Sequence, residues 1–152
     1  MAKVIVYTNA EFGNVCVCRP TGEVPLRDVL EKDCPPGSVI IEEGLLPYDG
    51  GYFMSWRLKN NRVVIDMPTA REIHRNRMRH TRGPLMAALD IAFMRAFESG
   101  NTALINAVKA QKEALRDVTT HPDIEAAQTI DELLKVWPDC LMDFKPPQEK
   151  AA

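Results

Sequence analysis

Four cysteines, three histidines and a few paired carboxylates are the side chains of this 152-residue chain that could hold a metal, attack a carbonyl or carry a proton. Cys16-x-Cys18 places one residue between its thiols, where a zinc knuckle wants roughly two to four. His74, His80 and His121 stand far from it in sequence. Alternate residues of a strand share a face, so the spacing reads instead as two small apolar thiols side by side. Cys34 lies between a helical stretch and Pro35-Pro36 with no histidine beside it, which gives nucleophilic chemistry little support. Cys140 stands apart from the other three. His74 is not part of an H-E-x-x-H pattern and shares a helical side with Met78 and Leu85, the setting of a packed histidine rather than a general base. Glu42-Glu43 and Asp49 are explained as a solvated strand end. Phosphate-cradling glycine loops of the G-x-x-x-x-G-K-[ST] and G-x-G-x-x-G kinds are absent from the sequence. The expectation is a protein that is not an enzyme, with no catalytic residue, no cofactor and no metal.

Charge and hydropathy narrow the class further. Nineteen Lys and Arg against 21 Asp and Glu leave a formal net charge of -2, whereas polyanion binders carry a basic excess. No apolar run approaches the roughly 20 residues that cross a bilayer. The start, Met1-Ala2-Lys3-Val4-Ile5-Val6-Tyr7, has neither the apolar core nor the cleavage site of a signal peptide. The expectation is a soluble chain in a reducing cytoplasm, with its thiols free.

The elements that must position any site fall into two textures. Residues 1–67 carry short apolar runs broken by Gly and Pro. Val4–Thr8 reads as a strand, Glu11–Asn14 as a turn and Val15–Cys18 as its hairpin partner. Residues 25–33 read as a short helix opened by Pro25 and stopped by Pro35-Pro36. Ser38–Glu42 is a strand, and 45–51 a loop. Phe53–Leu58 and Val63–Ile65 form a last hairpin around Lys59-Asn60-Asn61-Arg62. Residues 68–143 turn helical. Thr69-x-x-Glu72 fits a capping box, with Asp66 as a rival cap. Helical pattern runs to Glu98, interrupted at Gly83-Pro84, and Thr102–Val118 is a second helix. Thr129-x-x-Glu132 opens a short third one holding Ile130, Leu133, Leu134 and Trp137. Residues 144–152 read as a flexible tail. The fold class is therefore α+β: a small N-terminal β-rich unit, then a C-terminal antiparallel helical hairpin with a short third helix.

The hairpin can be worked out from spacing. Leu85, Leu89, Ala92 and Ala96 recur at four, three and four residues, and so do Leu104, Val108, Gln111 and Leu115. Across a short turn the pairs 85 with 115, 89 with 111, 92 with 108 and 96 with 104 close one seam. Gln111 is its polar member and could fix register. A second stripe, Met86, Phe93 and Phe97, is offset by roughly 80° and needs a cover. That cover is the Trp137 segment, the β-rich unit or another protein.

Arg71, Arg75, Arg79 and Arg82 share a helical face ahead of Pro84. A buried arginine row needs partners, so either the helix kinks at Pro84 or the basic part overhangs its neighbour. The row can pair internally with Asp117, Asp123 and Glu125, or it can dock on an acidic protein surface. Nucleic acid is disfavoured, because residues 68–84 lack the aromatics on which single strands stack.

Residues 56–138 also carry a resemblance. The runs Trp56-Arg57-Leu58, Val63-Val64-Ile65-Asp66, Ala70-Arg71-Glu72-Ile73, Pro84-Leu85, Ala88-Leu89-Asp90 and Phe93-Met94 occur in that order. Gln111-Lys112-x-Ala114-Leu115-Arg116-Asp117-Val118-Thr119 and Trp137-Pro138 follow. The pattern resembles small assembly proteins, chaperone-like, from tail and tail-fibre gene clusters of tailed bacteriophages. The resemblance implies a helper of fibre trimerisation or tail assembly that needs no metal or nucleotide. It acts in the host cytoplasm, or stays in the virion tail as an adaptor. Arg71, Arg75, Leu85, Leu89, Asp90, Leu115, Arg116, Asp117, Trp137 and Pro138 carry it. The Ile124-to-Leu134 connection and the β-rich half depart from the pattern. Arg71, Arg75, Arg79, Arg82, Met86, Phe93, Phe97 and Trp137 are the expected contacts with a phage tail or fibre protein. Homo-oligomerisation remains an alternative, and no membrane association is expected.

Overall fold

The computed structural model describes residues 2–48, 50–142 and 145–147. The chain is a mixed α+β protein that divides into two compact units, Met1–Ala70 and Arg71–Ala152. The division falls inside a long helix rather than at 67/68.

The first unit holds two small antiparallel sheets. β1 (Lys3–Thr8) is the central strand of three, between β2 (Val15–Cys18) and β3 (Val39–Glu42). The β1–β2 hairpin closes through Asn9, whose Oδ1 accepts from the N–H groups of Glu11 and Phe12 at 2.8 and 3.0 Å. Register pairs Tyr7 with Cys16 and Ile5 with Cys18. Because side chains alternate, Val4 and Val6 face one way and Ile5 and Tyr7 the other. The valine face joins Val15 and Trp56 in a core flanked by Val17, Val39, Ile41, Leu58, Val63 and Ile65. α1 (Leu26–Lys32) lies between β2 and β3 in sequence, and Pro25 is the residue before its first turn rather than inside it. The second sheet is the hairpin β4 (Trp56–Lys59) and β5 (Arg62–Ile65). Its two-residue turn, Asn60-Asn61, has φ of 50° and 59°, the left-handed pair that matches strand twist and that asparagine tolerates.

The second unit is built on α2 (Met67–Glu98) and α3 (Thr102–Asp117). Its turn follows from local chemistry. Gly100 has a φ of 66°, and the N–H groups of Gly100 and Asn101 bond back to Phe97 O and Ala96 O, which stops α2. Asn101 Oδ1 then accepts from Leu104 N at 3.1 Å and starts α3. The helices run antiparallel, as Lys112 Nζ to Asp90 Oδ1 at 2.6 Å and Arg82 to the carbonyls of Leu115 and Arg116 show. Leu89, Ala96, Val108 and Leu115 are buried on the seam. α4 (Pro122–Ala126) and α5 (Ile130–Leu134) follow, contributing buried Ile124, Ile130 and Leu133. Thr129 Oγ1 accepts from Glu132 N, and Glu132 Oε2 accepts from Gln128 N, so the expected cap forms.

Several element boundaries differ from the sequence reading, each for a physical reason. Residues Phe53–Ser55 form a 3-10 turn, held by Ser55 N and Oγ on Tyr52 O, so the strand begins only at Trp56. α2 starts at Met67 after Asp66, whose Oδ2 accepts from the Thr69 hydroxyl. Thr69 is thus inside the helix, not its cap. α2 also passes through Gly83-Pro84 without interruption. The carbonyl that Pro84 cannot serve belongs to His80, and both residues are exposed, so solvent can serve it instead. The 119–128 connection holds a 3-10 turn and α4, and Trp137 lies beyond α5 rather than in it. Of the expected tail, residues 145–147 are described; 144 and 148–152 lie outside the described residues, as does Asp49.

Candidate partner-binding surface

The arginine row does not stand free. Arg71 Nη2 donates to Ala127 O at 2.8 Å, and its Nη1 lies 3.9 Å from Glu125 Oε2. Arg75 Nε donates to Thr119 O at 3.2 Å, and its Nη2 is paired with Glu125 Oε1. Arg82 donates to Leu115 O and Arg116 O at 3.2 and 3.0 Å, where the last carbonyls of α3 have no helical partner. Arg79 is the outer member, bonded to Glu72 and Asn76 on its own helix. The arginines hold Glu72 and Glu125 below the usual carboxylate range, Arg79 acting mainly on the first and Arg75 on the second. Of the three acids proposed as partners, Glu125 is the one these arginines engage.

The apolar stripe divides as well. Met86 and Phe93 are half-buried, with Lys112 Nζ 5.6 Å from the Phe93 ring centre. Phe93 and Phe97 stack with centroids 6.4 Å apart, yet Phe97 is 65% exposed. Ile91 and Met94, which the spacing argument passed over, are 56% and 55% exposed. Their signal is present in the sequence: between Leu85 and Phe97 only Asp90 and Arg95 are charged, so this stretch carries more apolar residues than one face can bury. α3 covers one side of such a helix. Ile91, Met94 and Phe97 therefore form an exposed apolar strip at three-residue intervals near the hairpin tip.

Trp137 is half-buried and meets the His74 ring edge-on, centroids 5.7 Å apart. It packs against the base of the hairpin, while Phe97 lies at the tip, so the eight expected contacts do not form one surface. His74 itself is buried, its Nε2–H donating to Val136 O at 2.7 Å. Burial lowers its pKa below 6.5, with nearby Arg77 adding to the effect and the Val136 bond opposing it. The unfolded chain thus takes up the proton first. Stability from the neutral ring is complete above pH 6.5 and is lost as pH falls through the lower folded value. Urea midpoints measured from pH 8 down to pH 5 are expected to decline in that window, and His74→Gln to flatten the decline.

No group of three or more His, Cys, Asp or Glu among the described residues is placed to hold a metal ion. Cys34 is pushed up by burial and by its neighbour Cys18, the direction opposite to an activated thiolate. Burial, with the adjacent Cys16, raises Tyr7 likewise. Among the described residues no helix is long and apolar enough to cross a membrane. Comparison with protein-family models, with curated proteins and with solved structures finds no match for this chain.

Proposed function

We propose that this chain is a non-catalytic protein-binding module of a tailed bacteriophage, docking a tail or tail-fibre protein in the host cytoplasm during assembly. The observation that carries the binding role is the exposed apolar strip Ile91, Met94 and Phe97 on α2. Adjacent large side chains of this kind mark sites that another surface covers. The tail and fibre setting is supported by the resemblance of residues 56–138. Arg71, Arg75 and Arg82 are engaged by carbonyls of the second unit, which favours the tip over the arginine row as the contact in this reading.

Co-expression with the tail or fibre protein encoded beside it, followed by size-exclusion chromatography, tests the reading. Met94→Asp with Phe97→Asp is expected to weaken complex formation by about thirtyfold or more while leaving helical circular dichroism unchanged. Undiminished complex formation overturns the strip as the contact. Mass spectrometry of purified virions then separates a transient chaperone, absent from them, from an adaptor that stays.

A further inference from the structure

Three of the four thiols gather on one face of the first sheet. In the β1–β2 register Cys18 stands opposite Ile5 and Cys16 opposite Tyr7, so both project from the face turned away from the valine core. Cys34 joins them from the far end of α1. It follows Asp33, the cap of that helix, and precedes Pro35-Pro36 and a turn in which Ser38 N and Oγ bond Pro35 O at 3.2 and 2.6 Å. The prolines and the turn fix the backbone that carries it.

The sulfurs are not equivalent. Cys16 Sγ accepts from Asn9 Nδ2 at 3.6 Å and from the Tyr7 hydroxyl. Cys18 and Cys34 are bonded to each other. Burial, and then the Cys18 contact, keep the proton on Cys34, so its S–H donates and the Cys18 sulfur accepts. Two thiols in hydrogen-bond contact have only a short approach left to a disulfide. Cys16 and Cys18 do not: two residues apart on one strand, their Cα atoms are about 6.6 Å from each other and their Cβ bonds run parallel. All three thiols are half-buried, which admits a small oxidant.

We propose that Cys18 and Cys34 form a reversible redox pair, closed to a disulfide by a peroxide and reopened by a small thiol. Ionised Cys18 attacks one peroxide oxygen; the O–O bond breaks, an S–O bond forms, and the departing hydroxide takes up the proton that Cys18 released. Cys34 sulfur then attacks the Cys18 sulfenic sulfur, the S–O bond breaks, and the hydroxide leaves as water with the Cys34 proton. Two thiols and one hydrogen peroxide thus become one disulfide and two waters. Two glutathione thiols reverse the closure and leave as glutathione disulfide. The link ties the end of β2 to the connection entering β3 and encloses residues 19–33, α1 among them. Such a loop constrains the unfolded chain, so the oxidised first unit is the harder one to unfold. The inference concerns the first unit and does not depend on the docking strip or on a fibre partner.

The test exposes the full-length chain to hydrogen peroxide, blocks remaining thiols and digests without reductant. Mass spectrometry is expected to find Cys18 joined to Cys34, with Cys16 and Cys140 still alkylatable. Cys16→Ser should keep the link. Cys34→Ser should stop at a Cys18 sulfenic acid that dimedone captures, and Cys18→Ser should leave Cys34 reduced under the same exposure. Titration against glutathione and its disulfide should favour the link by about tenfold or more in the folded chain over the chain in urea, because folding and closure assist each other equally. A Cys16–Cys18 link, intermolecular disulfides as the main product, oxidation spread evenly over the thiols, or no preference for the folded chain overturns the proposal.

Discussion

Leu89→Ala is expected to lower the unfolding free energy read from the helical signal by about 3–5 kcal/mol. Leu89 is fully buried in the middle of α2, and its seam neighbours Ala96, Val108 and Leu115 are buried with it. Two of the four α2 seam positions are alanine, so the helices have no larger side chain to move into the space that Leu89 would vacate. Such sites keep their cavity, and the full cost of lost contacts is felt. A domain's net stability is about 5–15 kcal/mol, so this single change would bring the second unit near its midpoint under ordinary conditions. Met94→Ala, five residues along the same helix but 55% exposed, should stay within about 0.5 kcal/mol. Urea titration followed at 222 nm compares the two. A loss below about 1 kcal/mol for Leu89→Ala would mean that the hairpin closes on some other line.

The seam was legible because it depends only on spacing. Two runs at four, three and four residues, separated by Ser99-Gly100-Asn101, specify which positions face each other, and the Lys112–Asp90 and Arg82–Leu115 bonds fall close to that register. The strands of the first unit were legible for the same kind of reason, since alternation and turn residues act locally. What failed were features decided by groups that have no letter in the sequence. Phe53–Ser55 looks extended by composition, but the Tyr52 carbonyl draws Ser55 into a 3-10 turn. Gly83-Pro84 looks like a break, but breaking a helix matters only where the freed carbonyl is out of reach of water, and here it is not.

Partner-site residues show the same limit more sharply. Stripe counting on the seam and its neighbour singled out Phe97 and missed Ile91 and Met94, because it asked which apolar residues line up rather than how much of the circumference is apolar. Once α3 takes one face of the apolar stretch 85–97, the large residues left exposed are those opposite, and these include Ile91 and Met94. Trp137 reads from the sequence as part of the third helix with Ile130, Leu133 and Leu134, yet α5 ends at Leu134, so helical phase carries no information about where Trp137 goes. It goes to His74, a contact set by tertiary packing.

Arg71→Ala and Arg75→Ala should each remove about 1–3 kcal/mol of stability, whereas Arg79→Ala should remove less than about 0.5 kcal/mol. Arg71 and Arg75 are mostly covered, with side-chain exposures of 14% and 20%, and each donates to a backbone carbonyl of the segment after α3. Without the guanidinium, Ala127 O and Thr119 O keep their desolvation and lose their donor. Arg79 is 42% exposed and bonds only side chains of its own helix, where water is a ready replacement. A search for acidic partners could not foresee this arrangement, because the principal acceptors are main-chain oxygens of the segment after α3. The Arg75–Glu125 contribution also carries a pH signature. Glu125 titrates below 4.5 in the folded chain, so its share is present above the unfolded value and disappears as pH falls through the folded one. The ordering Arg71 and Arg75 well above Arg79 is measurable by thermal and urea unfolding at pH 7. If all three prove equally neutral, the row is a solvated face after all, and its charge is again available to a partner.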